Sequence, residues 1–348
     1  SLAFRGSDRV SEATRQKVLE AADRLGYRPN PMVQTLMANL RATRKVEMHS
    51  VIAWVTTFDT EDGWANSWVF QKYFEGAVRR ARHLGYRIEP FWAREKGMTG
   101  ERLSGILRAR GINGVIIPPV PSSFESLDLD WSLFASATIG HSFQEPALHR
   151  VAANLSEAMA LVLEKCEKAG YERIGYVTPA ETDERVKHSW MSVYLAWQKF
   201  LPRKKVVPML YVKDTEKIED RLGAWLEKNK PDLIITANRE LLVWLPQMFN
   251  QKIPEDIGVV VLAKHIEDHY IDQATGINQR DSAVGAAAVD MVVAQMQRNE
   301  IGLPDHPNVL LISGVWENGG TTRNELESLE APRKPRKGEA SKAKEKKA

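Results

Sequence analysis

Arg9–Leu40 reads RVSEATRQKVLEAADRLGYRPNPMVQTLMANL, two helix signals on either side of a proline-locked elbow. Ser11 is a good N-cap, with Glu12 in the first turn, where the helix dipole favours a carboxylate. Val18, Leu19, Ala22 and Leu25 fall at i, i+1, i+4 and i+7, one apolar stripe, while Arg15, Lys17 and Arg24 lie largely off it. Gly26 accepts the left-handed conformation that ends a helix, and Tyr27-Arg28-Pro29-Asn30-Pro31 is extended because a residue before proline is pushed out of the α region. Asn30 then caps a second short helix, with Pro31 at its first position, running through Met32, Val33, Leu36 and Leu40.

Beyond the basic stretch Arg41–Lys45, apolar runs alternate with helical patterns, the signature of an α/β chain. The first half predicts strand 50–57, helix 69–84, strand 86–92, helix 101–110 and strands 114–117 and 137–139. The second half predicts helix 155–169, strand 173–178, helix 190–200, strand 207–211, helix 218–229, strand 233–236, helix 239–249 and strand 258–262. The run Ala274–Gln279, a small-residue helix over 282–298 and strand 309–313 complete the pattern. The strands are short and nearly all apolar, as parallel strands covered on both faces must be.

The chain has 348 residues and 43% hydrophobic content, enough for two domains and a small appendage. Its net charge of +3 is unevenly spread: residues 1–45 carry nine Lys/Arg against four Asp/Glu, residues 332–348 carry eight against two, and the remainder is acidic. Basic ends on an acidic body suit a protein that meets nucleic acid at one end. The tail 325–348 has the composition of a disordered, solvated basic segment and no leucine heptads. One cysteine, Cys166, excludes an internal disulfide and fits a reducing cytoplasm, and no apolar run reaches membrane-spanning length. The expectation is a cytoplasmic protein with no membrane partner.

Val10, Ser11, Thr14, Arg15, Val18, Ala21, Ala22, Leu25, Gly26, Tyr27, Pro29 and Asn30 meet the pattern V-S-x-x-T-R-x-x-V-x-x-A-A-x-x-L-G-Y-x-P-N. In these residues the chain closely resembles the LacI/GalR family of bacterial transcriptional regulators. The resemblance covers roughly residues 1–324, densely over the first 45. It implies an α/β fold with a two-lobed periplasmic-binding-protein-like core of parallel sheets, preceded by a partial helical DNA-binding headpiece and a hinge helix, and an effector cleft between the lobes. The expected divisions are headpiece 1–29, hinge and linker 30–45, a first lobe of 46–149 with 281–308, and a second of 150–280 with 309–324. Ser1, Leu2 and Arg5 resemble the end of the recognition helix, so most base-reading positions are expected to be missing from the sequence as given. Leu36 falls where the family drives a leucine into the minor groove, an apolar wedge that kinks DNA. The expected DNA-binding residues are Ser1, Leu2, Arg5, Tyr27, Asn30, Leu36 and Met37, and the implied partners are operator DNA, a small-molecule effector and a second copy of the chain.

Ligands of open parallel sheets collect beyond the carboxyl ends of strands. Those ends offer Thr57 and Asp59, with Trp64 and Trp68 in the polar loop DTEDGWANSW, and flat aromatic faces beside polar groups suit a sugar. The alternative is that the tryptophans cap the core or a dimer surface. The family's effector asparagine is matched by Asn238, although the acid that follows it there is Arg239. Its arginine before the second-lobe helix has no clean equivalent among Arg185, Lys187 and His188, which precede Trp190. Its aspartate after G-[FY]-D is replaced at Lys264, a change of sign that raises an anionic effector as an alternative. His141 and Gln279 complete the expected effector set. His265 and His269 have i, i+4 spacing suited to a metal, yet the order is not H-E-x-x-H and no third ligand is evident. No P-loop, G-x-S-x-G elbow or paired cysteines occur, so neither an enzyme nor a cofactor is expected. The rival reading is a solute-binding receptor without a DNA-binding role.

Overall fold

The computed structural model describes residues 12–24, 50–121, 126–213, 217–264 and 273–323. Of the headpiece, this includes only α1 (Glu12–Arg24), which begins directly after Ser11 as the capping pattern predicts. Ser1, Leu2, Arg5, Tyr27, Asn30, Leu36 and Met37 lie outside the described residues, as do the hinge, the His265/His269 pair and the basic tail.

The chain then builds β1 (Ser50–Thr56), α2 (Trp68–His83), β2 (Tyr86–Trp92), α3 (Gly100–Ala109), β3 (Gly114–Ile117), β4 (Ala135–Ile139) and β5 (His149–Ala153). A second series follows: α4 (Leu155–Lys168), β6 (Ile174–Pro179), α5 (Ala180–Arg185), α6 (Ser189–Gln198), β7 (Leu210–Val212), α7 (Ile218–Asn229), β8 (Leu233–Thr236), α8 (Leu241–Phe249), β9 (Gly258–Val261) and β10 (Thr275–Asn278). Last come α9 (Asp281–Arg298), β11 (Val309–Ile312) and β12 (Val315–Glu317). Two compact units result. Of the described residues, the first holds those up to Asn154 with Arg185–Lys187 and Gln279–Ser313, and the second holds those within Leu155–Glu184 and His188–Asn278 and those from Gly314.

Each unit carries one six-stranded sheet. The first has the order β11-β5-β4-β3-β1-β2, parallel throughout, and the second the order β12-β10-β9-β8-β6-β7, parallel except for β12. Ile52 through Val55, Val115 through Ile117 and Leu233 through Ile235 are fully or almost fully buried, the outcome expected of apolar strands covered on both faces. One face of the first sheet packs Ile52, Trp54, Ile116 and Val151 against α2 and α9, through Ala77, Ala81, Val284, Ala288 and Val292. Those two helices cross at their glycines: a Cβ on Gly285 would stand 1.9 Å from the Tyr73 carbonyl oxygen, and one on Gly76 would stand 2.0 Å from that of Ser282.

Most predicted elements form within one or two residues of their expected bounds. β5 opens on His149 and Arg150 and was not anticipated, although it lies inside the sheet between β4 and β11. β11, assigned from sequence to the second lobe, pairs with β5 in the first sheet. It is the three-residue β12 that enters the second sheet, antiparallel to β10. The expected strand 207–211 forms only from Leu210.

Candidate functional site

Strand order reverses at β1/β3 in the first sheet and at β6/β8 in the second. Crossover connections leave to opposite faces at such a point, and the opening beyond the carboxyl ends is where doubly wound sheets take ligands. Each sheet is described in turn at that position.

In the first unit, β1 delivers Thr56 and Thr57, both buried, and the Thr57 hydroxyl has no hydrogen-bond partner. The loop beyond is pinned to the end of β2. Trp92 Nε1 donates to the Phe58 carbonyl at 2.8 Å, and Arg94 Nη1 donates to Asp59 Oδ1 at 2.6 Å. Asp59, expected to accept ligand hydroxyls, is thus held in an exposed ion pair. Trp64 sits in the short 3-10 turn Gly63–Asn66, its ring 4.9 Å from Phe74 and 6.4 Å from Trp54, so it extends the aromatic core above β1. Trp68 opens α2 with the Lys72 ammonium 5.0 Å over its ring. His141 follows β4 in a loop that Arg150 clasps, donating to the carbonyls of Gly140 at 2.5 Å and Phe143 at 2.6 Å. Burial first, and then the charges of Arg150 and Lys187, hold the His141 imidazole below the usual histidine range.

At the carboxyl end of the second sheet, β6 runs into α5, whose Asp183 is wholly buried. Asp183 Oδ2 lies 2.5 Å from His188 Nδ1, and the His188 amide donates to the Asp183 carbonyl at 2.9 Å, closing a turn between α5 and α6. Lys187 and His188 both occupy the left-handed region, at φ 54° and 56°, a conformation that costs side-chain-bearing residues energy and recurs at functional sites. Asp183 Oδ1 is buried and has no partner. Trp190, in the first turn of α6, is buried with an unpartnered Nε1, and Arg185 closes α5. Asn238 follows β8 in a tight turn: its amide donates to Thr236 Oγ1 at 2.9 Å, and its Oδ1 accepts from the Glu240 amide at 3.0 Å. Lys264, beyond β9, is buried with its ammonium 3.2 Å from Glu317 Oε2, and Glu317 Oε1 accepts from Asn278 Nδ2 at 2.7 Å. Gln279 is buried directly after β10.

The structure therefore sorts the expected residues. Thr57 and Asp59 follow β1, Trp64 packs on Trp54 of β1, Trp68 opens α2, and His141 lies after β4. Asn238, Lys264 and Gln279 stand beyond β8, β9 and β10. The change of sign expected at Lys264 is cancelled by Glu317, whose strand was not anticipated. Sequence reasoning also passed over Asp183, because the polar run ETDERVKH carries no apolar period to announce α5. Among the described residues no three metal-ligating side chains gather, and no helix is long and apolar enough to cross a membrane.

Residues 163–316 match the family model of the periplasmic binding protein-like domain. A comparison with curated proteins finds no match to the chain. The transcriptional regulator CelR, solved as a cellobiose complex, is similar at 17% identity and a TM-score of 0.56, with 92% of this chain and 94% of that one covered. A LacI transcriptional regulator from Lactobacillus brevis is similar at 17% identity and a TM-score of 0.56, covering 77% of this chain and all (100%) of that one. The transcription regulator CcpA of Lactococcus lactis follows at 14% identity and 0.54, covering 78% and 100%. At these identities the likeness is one of fold: two parallel-sheet α/β domains of the periplasmic-binding-protein type. That fold is the one implied for the core by the resemblance read from Val10 to Asn30.

Proposed function

We propose that the protein is a LacI/GalR-type transcriptional regulator that binds operator DNA as a homodimer and responds to a small molecule, and that it is not an enzyme. The observation that carries this reading is the pairing, in one chain, of the headpiece pattern of Val10–Asn30 with two doubly wound units of the ligand-binding type. A solute receptor has no use for the first, and a simple DNA-binding protein has none for the second. In this reading Tyr27, Asn30 and Met37 position the headpiece and hinge on DNA and Leu36 wedges into the minor groove. Ser1, Leu2 and Arg5 belong to the end of the base-reading helix. The effector is a sugar or related metabolite, and the residues proposed to contact it are Thr57, Asp59, Trp64, Trp68, His141, Arg185, Trp190, Asn238, Lys264 and Gln279. The site is cytoplasmic, where operator and metabolite meet. CelR is described in complex with cellobiose, which makes a glycoside a sensible first probe.

The test is selection of bound fragments from a genomic DNA library by a chain extended to a complete helix-turn-helix. Enrichment of a near-palindromic site is the expected result, since a two-fold dimer reads two half-sites. No enrichment, with sugar binding intact, would move the assignment to a solute receptor.

A further inference from the structure

Basic residues collect where the first sheet begins. Ser50 of β1 stands opposite Tyr86 of β2, and Ile52 opposite Gly114 of β3, so α2 and α3, which lead into β2 and β3, end at the same edge of the sheet. The last turn of α2 carries Arg82 and His83, that of α3 carries Arg108, and Arg87 and Arg110 follow the two helices. All five are exposed. The helices cover opposite faces of the sheet, α2 packing on Ile52 and Trp54 and α3 on Ala53 and Val55. Arg87 and Arg110 join the two sides across β2, reaching the two oxygens of one carboxylate, Glu89, at 3.7 and 2.6 Å. Among the described residues no carboxylate pairs with Arg82 or Arg108, whereas nearby Arg80 and Arg298 are committed to Asp290 and Glu300 at 2.7 Å each. The dipole favours cations at a helix carboxyl end, but it does not account for this rim. α6 and α8 end without a basic residue, and Arg87 and Arg110 lie outside the helices.

The place of the rim points to a partner. The chain enters β1 at Ser50, four residues after the basic stretch Arg41–Lys45, from the segment with the headpiece and hinge pattern. Ser50 lies beside Tyr86, so the rim borders the point where that segment joins the first unit. Even with the intervening chain fully extended, DNA gripped at Leu36 is tethered within about 50 Å of Ser50. Duplex DNA offers a negative charge about every 1.7 Å along its axis, and a guanidinium matches phosphate in geometry as well as sign.

We propose that the rim formed by Arg82, His83, Arg87, Arg108 and Arg110 is a second DNA-contacting surface, one that meets backbone phosphates and reads no bases. The proposal rests on the regulator reading and adds to the headpiece a contact made by the first unit of the core itself. Contacts of this kind supply affinity and salt dependence without sequence preference.

The experiment combines Arg82→Gln, Arg87→Gln and Arg108→Gln, leaving Arg110 to its pair with Glu89 and its place over the Phe91 ring. A control variant, Lys199→Gln with Arg203→Gln and Lys213→Gln, removes the same charge from exposed positions of the second unit. Binding is followed by fluorescence anisotropy over a salt series. The chain as it stands is titrated with a random-sequence duplex, and the chain extended to a complete helix-turn-helix with its selected operator. The rim variant is expected to bind both duplexes about 10- to 100-fold more weakly, with the slope of log affinity against log salt shallower by about three per protomer. The control should keep the slope of the wild type. If the rim variant melts early, Arg82→Gln and Arg108→Gln are tested singly, and each should lower the slope by about one. A wild-type slope in the rim variants, an equal loss in the control, a loss confined to the operator, or no binding of the random duplex at low salt would each overturn the proposal. Operator selection by the extended chain is a separate readout, so success there beside failure here leaves the regulator reading standing.

Discussion

The Lys264–Glu317 pair illustrates how one side chain changes the reading of another. An isolated buried ammonium would demand an anionic ligand, but Glu317 meets it at 3.2 Å and shares its second oxygen with Asn278. Glu317→Gln strands the charge and should lower stability by about 3 kcal/mol, measured by urea unfolding. Adding Lys264→Met should recover most of that loss, because an apolar side chain tolerates the site that an unpaired ammonium does not. His141 gives a pH signature. Its folded-state pKa lies below the unfolded value, burial being the main cause, so the unfolded chain binds the proton more readily. Its contribution disfavours folding as pH falls through about 6.5, the unfolded reference, and levels off below the folded pKa. His141→Gln should therefore flatten the fall in melting temperature between about pH 7 and 5; an unchanged slope would assign that fall to other groups, His149 among them.

At the scale of elements, the α2–α9 crossing decides how the first unit closes on one face. Glycines let the helix backbones touch, and buried Tyr73 of α2 hydrogen-bonds Asp281 of α9 beside that contact. Gly285→Ala should force the helices apart and cost about 3 kcal/mol or more, the upper range of overpacking. Gly105→Ala in α3, where an added Cβ meets nothing within 4 Å, should instead be neutral or stabilise by up to about 1 kcal/mol through helix propensity. Thermal melts of the two variants side by side check the pair. The aromatic elements carry a similar lesson. Trp64 and Trp68 were legible as exceptional because they interrupt a polar loop, but the sequence has no means of telling a ligand platform from a cap on Trp54 and Phe74.

For the whole molecule, a regulator must couple its effector to its DNA. If a sugar changes operator affinity by some factor, operator DNA must change sugar affinity by the same factor, and titrations in both directions on the extended chain should agree. Leu36→Ala should weaken specific DNA binding and leave the melting of the two units unchanged; a large stability loss would make Leu36 a packing residue. The sequence by itself determined the alternation of apolar strands and amphipathic helices, because burial on both faces of a parallel sheet writes itself into unbroken runs such as Val51–Val55 and Leu233–Ile235. It also determined the helix after Ser11, whose cap and apolar stripe are local signals. Only the tertiary structure decided that β5 and β11 belong to the first sheet and β12 to the second, since strands of three to five residues carry no mark of pairing partners far apart in the chain. It alone placed Glu317 on Lys264, Arg94 on Asp59 and Trp64 on Phe74, and left one oxygen of Asp183 open. Charge and hydrogen-bond balance at a site is a sum over distant residues, and no local pattern carries that sum.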